Sequence, residues 1–394
     1  MPSNETSCRL RRLWDWARPC VLALAVLWLG RLGWREVVGL MRYQPPAIDF
    51  MPMWMAARAA LRWPALVYDF FGMTALQRPM LEHFRGLRPF VYPPTALAAL
   101  LPLSILPFWT AFALWTAGGV AAVLAALWGR PTPERALTLA AMLLGPPSVL
   151  VLATGQITLY IAALVFAGLR LLEPRPWLAG ALLGVAAALK PQALVLAPVA
   201  LCFVPAWRAL AAAAIAGAAA GLLSIAVLGT RLWLDWLAAV PRFERFVMTV
   251  PQLKVGMITP TVLGEMLGMV GGELLAWRLA FLGLGAGLMV YVFRVSRDPA
   301  RRLAALLGGA LFVTPYAMHY DAALLAPAAA WMLISRPAPL AWLASLTAAA
   351  VLCFATRPHW GGAAVIGFVI LATLLPEPRD PDPRAGTKRS RLGP

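Results

Sequence analysis

Asp49, Tyr92, Gln156, Lys190, Gln192, His319 and Asp321 stand at the ends of long apolar runs, and together they hold the parts of a proton-transfer and anion-binding site. A positioned carboxylate can take a proton from a hydroxyl group. A lysine, a histidine and the arginines Arg58 and Arg62 can stabilise an anion that gains charge as a bond breaks. Asp49 lies in Tyr43-Gln44-Pro45-Pro46-Ala47-Ile48-Asp49-Phe50, just beyond the first membrane-length apolar run, and is one of four acids between that run and the next. We read it as the general base.

Each of these residues also has a structural reading. Aspartate often caps helices, but Pro52 favours the first helical position, which puts the cap at Met51 and leaves Asp49 outside. Lys190 either snorkels beside Pro191 or faces a polar cavity, because a lysine at helix-centre depth costs roughly 2.5 to 3.5 kcal/mol. Gln156 would cap a hairpin, and Arg58 and Arg62 would anchor at headgroup depth. His319 and Asp321 would bond each other or the backbone at a turn beside Tyr316 and Tyr320. No HExxH or CxxC spacing occurs, so no metal ligand set is expected. No phosphate-cradling glycine loop occurs either, and Gly283, Gly285 and Gly287 lie in an apolar helix as packing residues.

The elements that position these residues are set by composition. Hydrophobic residues make up 61% of the 394 positions, charged residues 13%, and mean hydropathy is +0.75. That excludes a soluble globule of this size and points to an all-α polytopic membrane protein. The net charge of +17 is spread over short loops and termini. It therefore fits cytoplasmic loops and contact with anionic membrane lipid, with no nucleic-acid partner. Cys8, Cys20, Cys202 and Cys353 show no pairing or metal-ligand spacing.

Positive-inside counting places the basic N-terminus in the cytoplasm, followed by an uncleaved first helix over about 19–34. A long outer loop, 35–92, then holds Asp49 and two short interfacial helices, Pro52 to Arg62 and Gly72 to Phe84. Trp54, Arg58 and Arg62 share one face of the first, and Pro79 interrupts the second. The stretch 94–128 is too long for one crossing and breaks at Pro102 and Pro107, giving a partial segment and then a crossing. A hairpin of 136–153 and 157–172 turns outside at Thr154-Gly155-Gln156. A second, short on both arms (177–189 and 192–204), turns at Lys190-Pro191. Helix 209–228 carries Gly217 and Gly221 at close-packing spacing. A second outer loop, 229–272, has Trp233, Trp236, Arg242, Arg245 and Lys254 at interfacial positions. A crossing at 274–293 leads to the basic loop Arg294, Arg297, Arg301 and Arg302. The next helix emerges at Thr314 to Asp321, the chain returns by Arg336, and the last hairpin turns at Arg357-Pro358-His359. This makes about 12 crossings, with a single membrane domain over 1–376 and a disordered basic cytoplasmic tail over 377–394.

The order of Asp49, Val67-Tyr68-Asp69, Phe90-Val91-Tyr92-Pro93-Pro94, Gly155-Gln156, Leu189-Lys190-Pro191-Gln192 and Thr314-Pro315-Tyr316 through Tyr320-Asp321 resembles glycosyltransferase family 87. The resemblance spans about Asp49 to Asp321. It implies a GT-C fold and a polyprenyl-phosphate-sugar-dependent, alpha-1,2-mannosyltransferase-like enzyme with no cofactor beyond its lipid-linked donor. It also implies Asp49 as the acceptor-activating base and places His319 in the active-site segment. The acceptor would be a glycolipid or glycan, and displacement by a single base would invert the anomeric centre. Lys190 and His319 would hold the donor phosphate, with Tyr92, Gln156, Arg58 and Asp321 as further substrate-binding candidates. The Ala-, Arg- and Pro-rich composition suits a bacterial inner membrane, with the site on the extracytoplasmic side. The competing class is a multi-pass transporter or a lipid or glycolipid flippase. Such folds repeat internally and place charge near the midplane, whereas here no repeat stands out and the polar groups gather at one face. A noncatalytic scaffold leaves Asp49 and Lys190 unexplained.

Overall fold

The structure, a computed structural model, describes residues 30–39, 41–42, 44–81, 86–128, 142–204, 206–335 and 360–374, with positions 20, 23–24, 27–28, 139 and 351. The N-terminal arginines, Tyr43, the loop with Arg130 and Arg135, Arg336, the turn at 357–359 and the tail 377–394 lie outside these residues.

Among the described residues every regular element is helical, with one isolated bridge between Met257 and Met318. A helical stretch at 30–39 precedes α1 (Phe50–Arg62), α2 (Phe70–Leu81), α3 (Pro94–Ser104), α4 (Phe108–Ala126), α5 (Pro146–Thr154), α6 (Thr158–Leu171) and α7 (Pro176–Leu189). Next come α8 (Ala197–Phe203), α9 (Trp207–Leu228), α10 (Arg231–Thr249), α11 (Pro260–Met266), α12 (Gly271–Val295), α13 (Pro299–Val313), α14 (Ala326–Ser335) and α15 (Gly361–Leu374). Prolines open α3, α5, α7, α11 and α13, where the missing N–H is harmless and the fixed φ suits the first turn. Short 3₁₀ turns at Pro191–Leu194 and His319–Leu325 carry two of the polar motifs.

Three described helices are long and apolar enough to cross a membrane: α4, α9 and α12, with 19, 22 and 25 residues. At 1.5 Å per residue they reach roughly 28 to 38 Å, enough for a hydrocarbon core of about 30 Å. Their outward side chains remain uncovered, Ile215, Leu222 and Leu223 of α9 being 62%, 68% and 63% exposed. Helices α6 and α7, with 14 residues each, reach only about 21 Å. Polar turns beside such short helices are tolerated at depth because surrounding protein satisfies the backbone.

Helices α7 and α9 pack through glycine. A Cβ at Gly180 or Gly184 of α7 would collide with the backbone at Ala209 or Ala213 of α9. The expected close-packing pair on α9 behaves differently: a Cβ at Gly217 would only near the Gly184 carbonyl oxygen, at 3.8 Å, and one at Gly221 would face open space. Of the glycines in α12, Gly285 meets Gly309 of α13, its added Cβ falling 3.0 Å from the Gly309 carbonyl oxygen, while Gly283 and Gly287 meet nothing.

The first outer-loop helix differs from the interfacial helix expected. It starts at Phe50 with Asp49 at the N-cap position, and Phe50, Met51, Met53, Trp54, Ala56, Ala57 and Ala59 are buried. Small residues on one flank and aromatics on the other let it pack inside the bundle against α3 and α4. Trp54 Nε1 donates to the Leu106 carbonyl (3.2 Å), and Arg58 Nη1, its guanidinium 4.7 Å from the Trp54 ring centre, donates to the Ser104 carbonyl (3.0 Å). These bonds satisfy orphan carbonyls at the end of α3, where a cation also complements the helix dipole. The second helix starts earlier than expected, at Phe70, because Asp69 Oδ1 accepts from Phe71 N (3.1 Å) and caps it. The stretch 94–128 is broken between Ser104 and Phe108, ahead of Pro107, while Pro102 is accommodated inside α3.

Candidate active site

The loop before α1 is stitched to the turn between α5 and α6. Ala47 N donates to the Ala153 carbonyl (2.8 Å) and Asp49 N to the Thr154 carbonyl (3.0 Å). Ala47 has a left-handed φ of 59° to make this approach. Gly155, at φ 80°, closes the opposing turn, and a Cβ there would come within 2.5 Å of the Phe50 Cβ. Glycine is therefore required on both counts. Phe50 in turn packs within 6 Å, centre to centre, of Phe108, Phe112 and Trp115. Trp115 Nε1 bonds the Gly155 carbonyl at 2.9 Å. Asp49 thus enters the site from a rigid frame.

The Asp49 side chain makes no capping bond. Its Oδ1 accepts from Arg88 Nη1 at 3.0 Å, and its Oδ2 takes no hydrogen bond among the described residues. Arg88 Nη2 also donates to Gln44 Oε1 (3.2 Å). The Arg88 backbone is fixed separately: its N–H bonds Thr74 Oγ1 (2.9 Å) and its carbonyl accepts from Gln77 Nε2 (2.8 Å). Arg88 was not among the candidates read from the sequence. Its signal was position, two residues before the Phe90-Val91-Tyr92-Pro93-Pro94 motif in the same loop as Asp49.

Beside this pair, Tyr92 Oη donates to Gln156 Oε1 at 2.6 Å. Burial, with the charges of Asp321 and Asp49, pushes the Tyr92 hydroxyl well above its ordinary range, so it stays a donor. Lys190 is 5% exposed and Asp321 7%, and they form a buried ion pair. Thr158 Oγ1 also donates to Asp321 Oδ1 (3.2 Å), and Met318 N donates to Oδ2 (3.2 Å). The pair joins the turns after α7 and α13. Gln192 is exposed on the neighbouring 3₁₀ turn.

His319 is anchored by backbone, its N–H donating to the Gly256 carbonyl (2.7 Å). Its Nδ1 lies 3.2 Å from the same oxygen. A carbonyl only accepts, so Nδ1 carries the proton and Nε2 is the acceptor of the neutral ring. Burial lowers the basicity of His319, against the opposing pull of the Gly256 bond, Asp49 and Asp321. Asp49 and Asp321 act together on Tyr92, His319 and Tyr320, which places these groups in one electrostatic neighbourhood. Arg58 is elsewhere, nine positions along α1 and so roughly 13 Å from Asp49 by helical rise. Asp69 is occupied as a helix cap.

Next to Tyr92 and Lys190 in the chain, Pro93 and Pro191 border an apolar cavity of about 500 Å³, walled by α7, α8 and α9 and lined also by Trp233 and Trp236. Trp236 Nε1 bonds the Val91 carbonyl (3.2 Å), tying the cavity wall to the polar loop. Among the described residues no group of three or more His, Cys, Asp or Glu side chains is arranged to hold a metal ion.

Residues 90–315 match the family model described as Glycosyltransferase family 87. Over 199 residues the chain is 29% identical to the polyprenol-phosphate-mannose-dependent alpha-(1-2)-phosphatidylinositol pentamannoside mannosyltransferase of Mycolicibacterium smegmatis. That stretch is 48% of this chain and 43% of the relative, so less than half of the relative's length is spanned. No solved structure matches. Tyr92, Gln156 and Lys190 fall inside the family-matched segment, whereas Asp49 and Arg88 precede it and His319 and Asp321 follow it.

Proposed function

The chain belongs to glycosyltransferase family 87, and from that premise we propose that it transfers a hexose from a polyprenyl-phosphate donor to a glycolipid or glycan acceptor at the outer face of a bacterial inner membrane. Mannose is the sugar of choice, by analogy with the relative's donor. About 12 crossings and a cytoplasmic basic tail complete this reading of the chain.

The observation that carries it is a carboxylate on a rigid loop, Asp49, with Arg88 on one oxygen and an apolar cavity of about 500 Å³ beside the neighbouring turns. A sugar on a lipid phosphate already has a good leaving group. The enzyme therefore needs one base for the acceptor and cationic or hydrogen-bonding groups for the departing phosphate, with no acid to protonate a leaving alcohol. Asp49 takes the acceptor hydroxyl proton as that oxygen attacks the anomeric carbon. The sugar–phosphate bond breaks on the opposite side, and the centre inverts. Tyr92 and Gln156 orient the sugar, and the Lys190–Asp321 pair holds the floor of the site. The cavity suits part of a prenyl chain, since apolar pockets of about 300 to 1,000 Å³ bind small ligands.

Membranes containing the protein are offered labelled polyprenyl-phosphate sugars and, in parallel, nucleotide sugars. Transfer from the lipid donor is expected, and Asp49→Asn lowers it about 10²- to 10⁴-fold, the usual worth of general-base catalysis. Asparagine serves a helix cap about as well as aspartate, so unchanged expression with lost transfer isolates the base. Use of nucleotide sugar alone sinks the donor assignment, and near-normal turnover of Asp49→Asn returns Asp49 to a structural role.

A further inference from the structure

We infer that Arg88, paired with Asp49 in the resting site, is the ligand of the donor phosphate and is handed from the carboxylate to the phosphate as the sugar is transferred. This rests on the lipid-phosphate donor of the preceding section.

The argument starts from the balance of charge. Before transfer Asp49 is a carboxylate and the donor is a phosphodiester with one negative charge. The acceptor O–H gives its proton to Asp49, its oxygen bonds to the anomeric carbon, and the electron pair of the breaking sugar–oxygen bond stays on the phosphate. Asp49 is then neutral and the polyprenyl monophosphate carries a second negative charge. One unit of negative charge has thus disappeared from the Arg88 partner and reappeared on the leaving group. A guanidinium within reach of both gains attraction for the phosphate as it loses attraction for Asp49, and such a contact strengthens toward the transition state.

Three other cations considered for this role are committed differently. Lys190 is held by Asp321 in a buried pair that Thr158 also supports. Lys254 bonds Glu265 at 2.6 Å. Arg58 bonds the Ser104 carbonyl. Arg88 alone of these faces a group that the reaction neutralises, and its planar fork suits phosphate oxygens. It stands on a loop, with a side chain still 17% accessible, and its backbone is tethered through Thr74 and Gln77. The guanidinium can therefore change partner without moving the chain.

The experiment measures binding of radiolabelled polyprenyl monophosphate, the product lipid, to the purified full-length protein in detergent. Four forms are compared: wild type, Asp49→Asn, Arg88→Gln and the double variant. Arg88→Gln is expected to bind about tenfold more weakly, the loss of one charge-assisted contact. Asp49→Asn releases Arg88 and binds severalfold more tightly, and most of that gain vanishes in the double variant. A gain that is as large or larger without Arg88 means simple repulsion by Asp49 and overturns the handover. An Arg88→Gln protein that binds as wild type overturns it as well. Where Arg88→Gln melts early, Arg88→Lys replaces it, with an intermediate loss expected because the charge remains and the fork does not; unchanged binding there counts against the proposal. Failure of the wild type to bind the lipid removes the donor reading and the handover together, whereas binding with an additive cycle removes the handover alone.

Discussion

A lysine that was expected to meet substrate is held by a buried aspartate, and this changes what its removal should do. With Lys190 gone, Asp321 is left nearly buried with, among the described residues, only Thr158 and the Met318 N–H to satisfy it. Breaking one half of a buried pair typically costs about 3 to 5 kcal/mol. Lys190→Met should therefore lower thermal stability in detergent by a clear margin; loss of transfer at an unchanged melting point would make Lys190 a substrate ligand instead. His319 supplies a pH-dependent prediction. Burial lowers its basicity in the folded protein, so the unfolded chain binds the proton more readily. Stability is then full above the unfolded value, about 6.5, and falls as pH drops from there toward the lowered folded value. Melting curves between about pH 7 and 5, a window above ordinary carboxylate titration, should show this acid loss in wild type and a flatter profile in His319→Gln. The other histidines, His83 and His359, lie outside the described residues.

Short helices place the polar turns, and glycines place the short helices. Helix α7 lies against α9 with Gly180 and Gly184 on the Ala209 and Ala213 backbone, so any side chain at these positions must push one helix off the other. Backbone cannot yield as a side-chain tip can. Gly184→Leu should cost at least about 1 to 3 kcal/mol, the usual penalty of overpacking, and should displace the Lys190 turn at the end of the same helix. Gly221→Leu, facing open space, should stay within about 0.5 kcal/mol of wild type. Equal melting points for the two variants would refute the packing assignment. Arg58 belongs to this scale too. Its guanidinium closes the end of α3 and steadies the break at Pro107.

Seen whole, the molecule exposes leucine and isoleucine along its long helices and gathers carboxylates, tyrosines and cations where short segments meet. We propose sidedness from the arginines: Arg294, Arg297, Arg301 and Arg302 lie where α12 meets α13, and the positive-inside rule would put that end in the cytoplasm and the Asp49 loop outside. Reporter fusions after Gly229 and after Arg297 should report opposite sides, the first outside. The same side for both would separate the Asp49 loop from the polar turns in this topology.

The sequence by itself determined the membrane class, the order of the polar motifs and many helix starts. Each depends on local quantities, namely a run of apolar residues, an arginine beside it, or a proline that suits a first turn. Asp49, Tyr92, Gln156, Lys190, His319 and Asp321 stood out as candidates for the same reason, since polar residues are rare within apolar runs. What tertiary structure decided is who pairs with whom. Arg88 meets Asp49 across 39 positions, and Lys190 meets Asp321 across 131. No local pattern encodes those distances. They follow from glycine contacts that bring α7 onto α9, from the backbone stitch between Ala47 and Ala153, and from the anchoring of His319 on Gly256. The burial of α1 was hidden in the same way. Its arginine and tryptophan read as membrane anchors until the broken end of α3 supplied the carbonyls that they bind.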